Sequence, residues 1–455
     1  MDIRDLRQEF DTESTGAAMH GLIRELYPIC RSITGDGFRE TLRSLRRFID
    51  LDIHEVPSGT RAFDWTVPKE WNIRDAYIKD SRGVRVVDFK ASSLHVMSYS
   101  TPVHETMSLD RLKDHLHTIP DKPDLIPYRT SYYKEDWGFC LSHNDLSRLR
   151  EGEYDVCIDS TLEEGSLTYG EYYLPGETRD EILVSCHSCH PSMCNDNLSG
   201  VALSTFAAKL LTPLSRRYSY RFLFIPGAIG SITWLSANEE KTADIKHGLV
   251  VACVGDGGGL TYKKSRRGNA EIDEAVQHVL RHRGQPYAVR EFIPYGYDER
   301  QYCSPGFNLA VGSLTRTPHG AFPQYHTSAD NLDFVQGRYL ADSLSAYLSV
   351  FQVLEENRTY SSLNARCEPQ LGKRGLYSAI GGRTDSPTQE MALLWVLNLA
   401  DGEHTLLDVA ERAGLPFDVI ANAARLLVEH ALLVESTPGA ALAAAHGDLE
   451  GRRSS

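Results

Sequence analysis

The sequence predicts an α/β protein whose sheet carries helices on both faces, with a β-rich insertion and a separate helical unit at the C-terminal end. Three observations carry that expectation. Apolar strand-like runs such as Ile182-Leu183-Val184, Tyr220 to Ile225 and Gly248 to Gly255 alternate with helix-like segments as far as Leu354. From about Glu55 to Leu149 the texture changes to short β-like runs separated by Pro- and Gly-bearing turns. After about Gln370 the pattern becomes helix, glycine turn, helix.

Taken in order, Met19 to Asp50 reads as a helix pair broken at Ile33-Thr34-Gly35-Asp36-Gly37. The second helix places Leu42, Leu45, Phe48 and Ile49 at helical spacing, which marks a core stripe. The insertion, expected over 56–149, contains the run Val84 to Phe89 and offers Trp65, Trp71 and Trp137 as core anchors. Its segment Pro127 to Lys134 either lines the mouth of a site or simply packs, and packing is favoured. Strands resume from Asp155 and alternate with helices such as Glu271 to Arg283, so that 1–55 and 150–358 form one body. A tail unit is expected over 370–436, with an apolar helix at Gln389 to Leu397, a helix and glycine turn from Thr405 to Pro416, and a further helix from Phe417 to Ala431. Gly439 to Ser455 reads as disordered, having no apolar periodicity.

Composition narrows the function classes. A chain of 455 residues is long enough for two or three domains, and its net charge of −14 opposes nonspecific attraction to nucleic acid or anionic membrane. No apolar run is long enough to span a bilayer, and Met1 to Arg7 lacks the apolar core of a signal peptide, so the cytoplasm is the expected location. The cysteines number nine, an odd count that suits a reducing compartment better than a disulfide framework.

The residues that carry chemistry are concentrated between Ser185 and Gly200. This stretch sets His187, His190 and Asp196 directly behind the apolar run Ile182-Leu183-Val184, and its Asn195-Asp196-Asn197-Leu198-Ser199-Gly200 turn feeds a helix starting near Val201. Imidazole and carboxylate suit a borderline ion such as zinc, and a strand end is where an open coordination position is accessible. A later segment, Tyr325-His326-Thr327-Ser328-Ala329-Asp330-Asn331, supplies another histidine. Cys186, Cys189 and Cys194 lack a second cysteine pair at matching spacing, which argues against a thiolate zinc site. Gly257-Gly258-Gly259 has neither the lysine nor the spacing of a phosphate loop and reads as a turn after Asp256.

In this order the motifs resemble the zinc aminopeptidases of the co-catalytic exopeptidase clan. They resemble more closely the bacterial aminopeptidase-like proteins that carry Cys-His-Pro-Ser-x-x-Asn-Asp-Asn-Leu-Ser-Gly. The resemblance extends to about Leu354 and implies a zinc-exopeptidase-like mixed sheet with an inserted small domain. It implies that His187 or His190 is the first metal ligand, with His187 favoured by its place at the strand end. It makes Asp196 a carboxylate able to bridge two metals and His326 the last ligand, with Asp256 either a ligand or a turn aspartate.

One departure stands out. The closer family resembles Pro-Glu-Thr-Ile-Gly-Ser where this chain reads Pro226-Gly227-Ala228-Ile229-Gly230-Ser231, so the glutamate position is Gly227. Glu239 and Glu240 follow a helix later and are expected on its exposed end. Loss of that ligand and base argues for one zinc rather than two, and for a proton acceptor from elsewhere. The resemblance also implies that Tyr295 to Tyr302 lines the substrate pocket. Asp298 or Glu299 is then the base or amine anchor, and Arg300 and Tyr302 contact substrate; the alternative is an ion-paired loop.

The tail resembles a winged helix-turn-helix. Its second helix offers only Arg425 and His430 as cations beside Asp418 and Glu429, so packing or protein interaction is expected rather than DNA binding. The function expected is a zinc-dependent amide hydrolase, aminopeptidase-like or deacylase, acting on a small aminoacyl or N-acyl substrate or a short peptide. The second reading is a noncatalytic zinc-site ligand-binding or regulatory protein. No membrane partner is expected, and homo-oligomer formation is left open.

Overall fold

The computed structural model describes residues 2–376 and 386–436. Two compact units emerge: Met1–Asp273 with Pro286–Leu348, and Glu274–Gln285 with Ser349–Ser455. The first is built on eight strands: β1 (Asp52–Pro57), β2 (Ser166–Leu174), β3 (Glu181–His187), β4 (Ser219–Ile225), β5 (Ile245–Val251), β6 (Leu260–Lys263), β7 (Tyr287–Arg290) and β8 (Val311–Thr315). Their spatial order is β1-β2-β4-β3-β5-β8-β6-β7. The central strands β4, β3, β5 and β8 run parallel, whereas β1 and β2 at one edge and the β6–β8 pair are antiparallel. This is the mixed α/β sheet expected.

Strands β3 and β4 are buried at every residue, which is why they read as mainly apolar runs rather than as alternating ones. The one charge in β4, Arg221, is buried between Glu171 and Glu181, and Trp234 donates its indole N–H to Glu171, so no charge in the sheet is left unpaired there. Helix Ser199–Leu211 connects β3 to β4, and helix Ile229–Ala237 follows β4. Parallel strands joined by helices bring the carboxyl ends of β3, β4 and β5 to one edge, where the site forms. The expected N-terminal helix pair is present as Thr12–Leu26 and Asp36–Leu45; the former packs on Ser199–Leu211, and Leu42 and Leu45 are fully buried.

The β-rich region contains a four-stranded antiparallel sheet in the order Arg85–Asp88, Glu70–Lys79, Glu153–Glu163, Val103–Ser108. Trp71 is buried with its indole N–H on the Ser100 carbonyl, and half-buried Trp137 stacks on His115. Trp65 is not a core anchor: it is 41% exposed, on a hairpin of only two residues per strand, Arg61–Ala62 and Trp65–Thr66, too short for a second layer to cover.

The second unit has a three-stranded antiparallel sheet, Asp401–Thr405, Thr359–Ser362 and Leu433–Glu435, with helices Ser386–Leu399, Leu406–Ala413 and Phe417–Glu429. Thr405 and Asp408 cap the middle helix reciprocally, and Gly414 at φ 64 ends it, as the glycine turn in the sequence requires. The segment Gly439 to Ser455 lies outside the described residues. No described helix is long and apolar enough to cross a membrane.

Candidate metal centre

Strand β3 delivers His187, the loop after it carries His190, and the turn Cys194–Leu198 carries Asp196 just ahead of helix Ser199–Leu211. All three converge. His187 Nε2 lies 2.8 Å from Asp196 Oδ1, and His190 Nδ1 lies 3.6 Å from Oδ2 and 3.1 Å from the Asp196 carbonyl oxygen. One donor atom from each of the three residues lies within 4.8 Å of the others. The loop after β8 adds His326, whose Nε2 is 3.0 Å from Asp196 Oδ2. Both histidines of the Ser185–Gly200 stretch therefore reach the carboxylate, where the sequence left a choice between them.

Charge explains why this carboxylate stays ionised. Burial alone would raise the Asp196 pKa, but the charge of His190 and hydrogen bonds from His187, His190 and His326 hold it well below the usual carboxylate range. For His187 burial pulls the pKa down, and the Asp196 contact outweighs it and raises it. His190 is lowered, mainly by burial.

The cluster stands on a buried polar scaffold. Asp330 accepts hydrogen bonds from the backbone N–H groups of Asn195 (2.6 Å) and Asp196 (2.9 Å), and burial pushes its carboxyl up to about 7. The Asn197 carboxamide donates to the carbonyls of His187 and Val251 and accepts from the N–H groups of Gly200 and Cys253, which locks the ends of β3 and β5 to the helix start. A β-carbon on Gly200 would come within 2.5 Å of Asn197 Oδ1, so only glycine allows that approach. Four non-glycine residues around the centre hold positive φ: Ser192 (43°), Ala228 (59°), Cys253 (50°) and His326 (54°). Such conformations are retained where the surroundings over-determine them, as functional sites do.

Asp256 is not among the three residues whose donor atoms converge. It accepts from Gly258 N–H, Thr317 Oγ1 and Asn195 Nδ2, because β5 ends at Val251 and the chain has already turned away. Its part is to orient Asn195.

The strand beside β3 ends differently. A β-carbon on Gly227 would lie 3.5 Å from His187 Cβ and 3.7 Å from Cys189 Sγ, ordinary contact distances, so this backbone position faces His187 and carries no side chain. Glu239 and Glu240 are exposed, as expected. Behind the turn sits buried Asp298, whose Oδ1 accepts from Ala228 N–H (2.8 Å) and Ser231 Oγ (2.7 Å). Glu299 is fully buried and ion-paired with Lys263; its Oε2 has no hydrogen-bond partner, and burial raises its pKa against the pull of Lys263. Arg300 Nε is buried without a partner. Tyr302 does not line a pocket: it is fully buried with its hydroxyl 2.9 Å from Ser185 Oγ in β3, because the short helix Glu299–Tyr302 turns it into the core.

Aromatic rings wall the centre. The Tyr297 ring stacks on His187 at 5.5 Å, and Tyr325 stacks on His326 at 3.9 Å. Tyr128 stands 5.1 Å from both His190 and His326. It arrives there because Pro127 pairs with Thr327 and Tyr128 N–H donates to the His326 carbonyl, so the Pro127 to Lys134 segment borders the site as well as packing. Sequence reasoning missed Asp330, for which a carboxylate four residues after His326 was a signal, and it favoured packing over lining for the run that carries Tyr128.

Buried His187 and Asp196, half-buried His190 and the adjoining His326 stand at the carboxyl edge of a mixed α/β sheet of aminopeptidase-like fold. Residues 20–357 match the model of a family described as "Domain of unknown function (DUF4910)", and residues 358–435 match a winged helix-turn-helix model. The chain belongs to the DUF4910 family and carries a C-terminal winged helix-turn-helix. It is 58% identical over 423 residues to a "Putative polysaccharide biosynthesis protein with aminopeptidase-like domain" from Clostridium acetobutylicum, covering 93% of this chain and 97% of that protein. The crystal structure of a "putative peptidase" from the same organism is similar at 56% identity and a TM-score of 0.91, over 95% of this chain and 99% of that one. BSAP, a zinc aminopeptidase from Bacillus subtilis, shares the fold at 12% identity and a TM-score of 0.55, over 75% of this chain and 94% of that one.

Proposed function

We propose that this protein is a zinc-dependent amide hydrolase acting on a small aminoacyl or N-acyl substrate, with the ion held by His187, His190, Asp196 and His326. Three imidazoles and one carboxylate form a donor set that fits zinc. When bound, zinc lowers the pKa of a coordinated water to about 7 and polarises a carbonyl. Asp298 accepts the proton that the missing glutamate would take. The observation that carries this assignment is its fastening to Ala228 and Ser231, one and four residues beyond the Gly227 position, while Glu299 is ion-paired with Lys263. Tyr128 and Tyr297 confine the substrate against the histidines, and Asp330 keeps Asp196 aimed at them. The name of the Clostridium relative refers to polysaccharide biosynthesis, and we read the N-acyl substrate accordingly as an N-acylated sugar.

The test joins metal analysis to a substrate screen. Protein purified without added metal is expected to carry about one zinc per chain and to release acetate from N-acetylated sugars or amine from aminoacyl amides, with Asp298→Asn losing turnover and His326→Ala losing zinc. A zinc-loaded protein inactive across both substrate classes would favour the second reading, a ligand-binding protein, which Gly227 supports. For the tail we propose a packing or protein-interaction role: Arg425, one of two cations on its second helix, is ion-paired with Glu356 at 3.5 Å. Salt-sensitive, sequence-selective DNA binding by the full chain, weakened by Arg425→Ala, would contradict this.

A further inference from the structure

Two exposed aromatic side chains of the first unit, Trp65 and Tyr133, lie on one path to the candidate metal centre, and a third, Phe63, shares the hairpin of Trp65. Phe63 and Trp65 stand on the Arg61–Thr66 hairpin, which packs against helix Ile229–Ala237 immediately after the Gly227 turn. Phe63 meets Phe307 at 5.8 Å, and Trp65 meets Tyr133 edge-on at 5.4 Å. Tyr133, 66% exposed, adjoins Tyr132 at 6.3 Å; the Tyr132 hydroxyl is 2.6 Å from that of Tyr128, whose ring touches His190 and His326. From Trp65 the track of rings therefore runs unbroken to the histidines.

Two independent observations mark the hairpin and this track as more than incidental. Phe63 sits at φ 56, a conformation that a bulky residue adopts only under constraint, and Arg61 holds it there by donating to its carbonyl. Arg300 Nε is buried without an acceptor, and its charge is felt at Tyr133, where it opposes the burial-driven rise of the phenol pKa. An exposed aromatic patch beside an unsatisfied guanidinium lacks the partner that would complete both.

We propose that the track is a saccharide-binding subsite, in which sugar rings stack on Trp65 and Tyr133 while Arg300 donates to their hydroxyl oxygens. A pyranose has an apolar C–H face and a rim of hydroxyls, which matches flat exposed rings flanked by a donor. A peptide would need a carboxylate for its amino terminus, and none of Phe63, Trp65, Tyr133 and Arg300 supplies one. The inference rests on the hydrolase reading only for which end of the saccharide reaches the histidines.

The experiment titrates the full chain with N,N′,N″-triacetylchitotriose and, separately, with triglycine, following tryptophan fluorescence and heat. Saturable binding of the trisaccharide is expected, with affinity at least tenfold weaker in Trp65→Ala, Tyr133→Ala and Arg300→Met at unchanged zinc content and unchanged Tm. His326→Ala is expected to lose zinc yet still bind the sugar, so a failure of the hydrolase reading leaves this result intact. Absence of saturable sugar binding up to millimolar concentration, equal affinity in all three variants, or saturable binding of triglycine in its place would each overturn the subsite.

Discussion

Strands β3 and β4 are neighbours, run parallel, are buried along their whole length and end at the same edge of the sheet, yet they end in opposite chemistry. β3 ends in His187 and leads to His190 and Asp196, whereas β4 ends in Ile225 and leads to Pro226-Gly227, which offers no side-chain donor. On the function proposed above, the two halves of such a site are separable. Metal donors need one another's geometry, so they stand or fall together; a proton acceptor needs only reach, and a carboxylate from another segment can supply it.

The comparison breaks most completely if the β3 half survives without its carboxylate. Asp196 is shared by His187 and His326, so Asp196→Ala is expected to drop zinc from about one per chain to near zero by elemental analysis. Zinc retained there would mean that the histidines hold the ion alone. Next in size, Asp298→Asn should cut turnover by about 10²- to 10⁴-fold with zinc still bound. Adding Gly227→Glu in that background sharpens the point, since a β-carbon meets only ordinary contacts at Gly227; at least tenfold of the lost rate is expected to return. An unrescued double variant would place the proton acceptor elsewhere.

Asp330→Ala tests the scaffold under the β3 half. It leaves the N–H groups of Asn195 and Asp196 buried without acceptors, at about 1–3 kcal/mol each, and is expected to lower Tm and to weaken zinc binding about 10- to 100-fold. A variant with wild-type zinc affinity would remove Asp330 from the site.

The smallest effect contrasts His187 with His247 at the start of β5. Burial, seconded by the charge of Arg217, holds His247 down at about 4, whereas Asp196 raises His187. Below about pH 6.5 the unfolded chain takes up a proton at this position that the folded chain refuses. The stability from neutral His247 is therefore full above about 6.5 and lost as pH falls toward 4, at no more than about 1.4 kcal/mol per pH unit. Urea unfolding at pH 7 and pH 5 is expected to show a shallower loss in His247→Asn, and an unchanged slope would mean that His247 is not held neutral.

Much of this molecule was legible because its signals are local. The mainly apolar runs of β3 and β4 announce strands covered on both faces, Thr405 and Gly414 announce the ends of a helix, and His187, His190 and Asp196 fall within one short stretch. The absence of a carboxylate at Gly227 was equally plain. Facing was less legible. Tyr302 shares a segment with Asp298 and Arg300 but turns into the core, Asp256 bonds Asn195 and Thr317, and Trp65 stands exposed although tryptophan usually anchors cores.

The sequence by itself determined the elements, their order and the donor types of the candidate metal centre, since helix and strand periods, caps and ligand chemistry are properties of a few adjacent residues. Only the tertiary structure decided that Tyr128 of the β-rich region borders His190 and His326, that Asp330 supports Asp196, and that Asp298 lies behind Gly227. Each of those is a meeting of segments distant in the chain, fixed by strand order and loop packing, and local periodicity contains no information about which distant segments will meet.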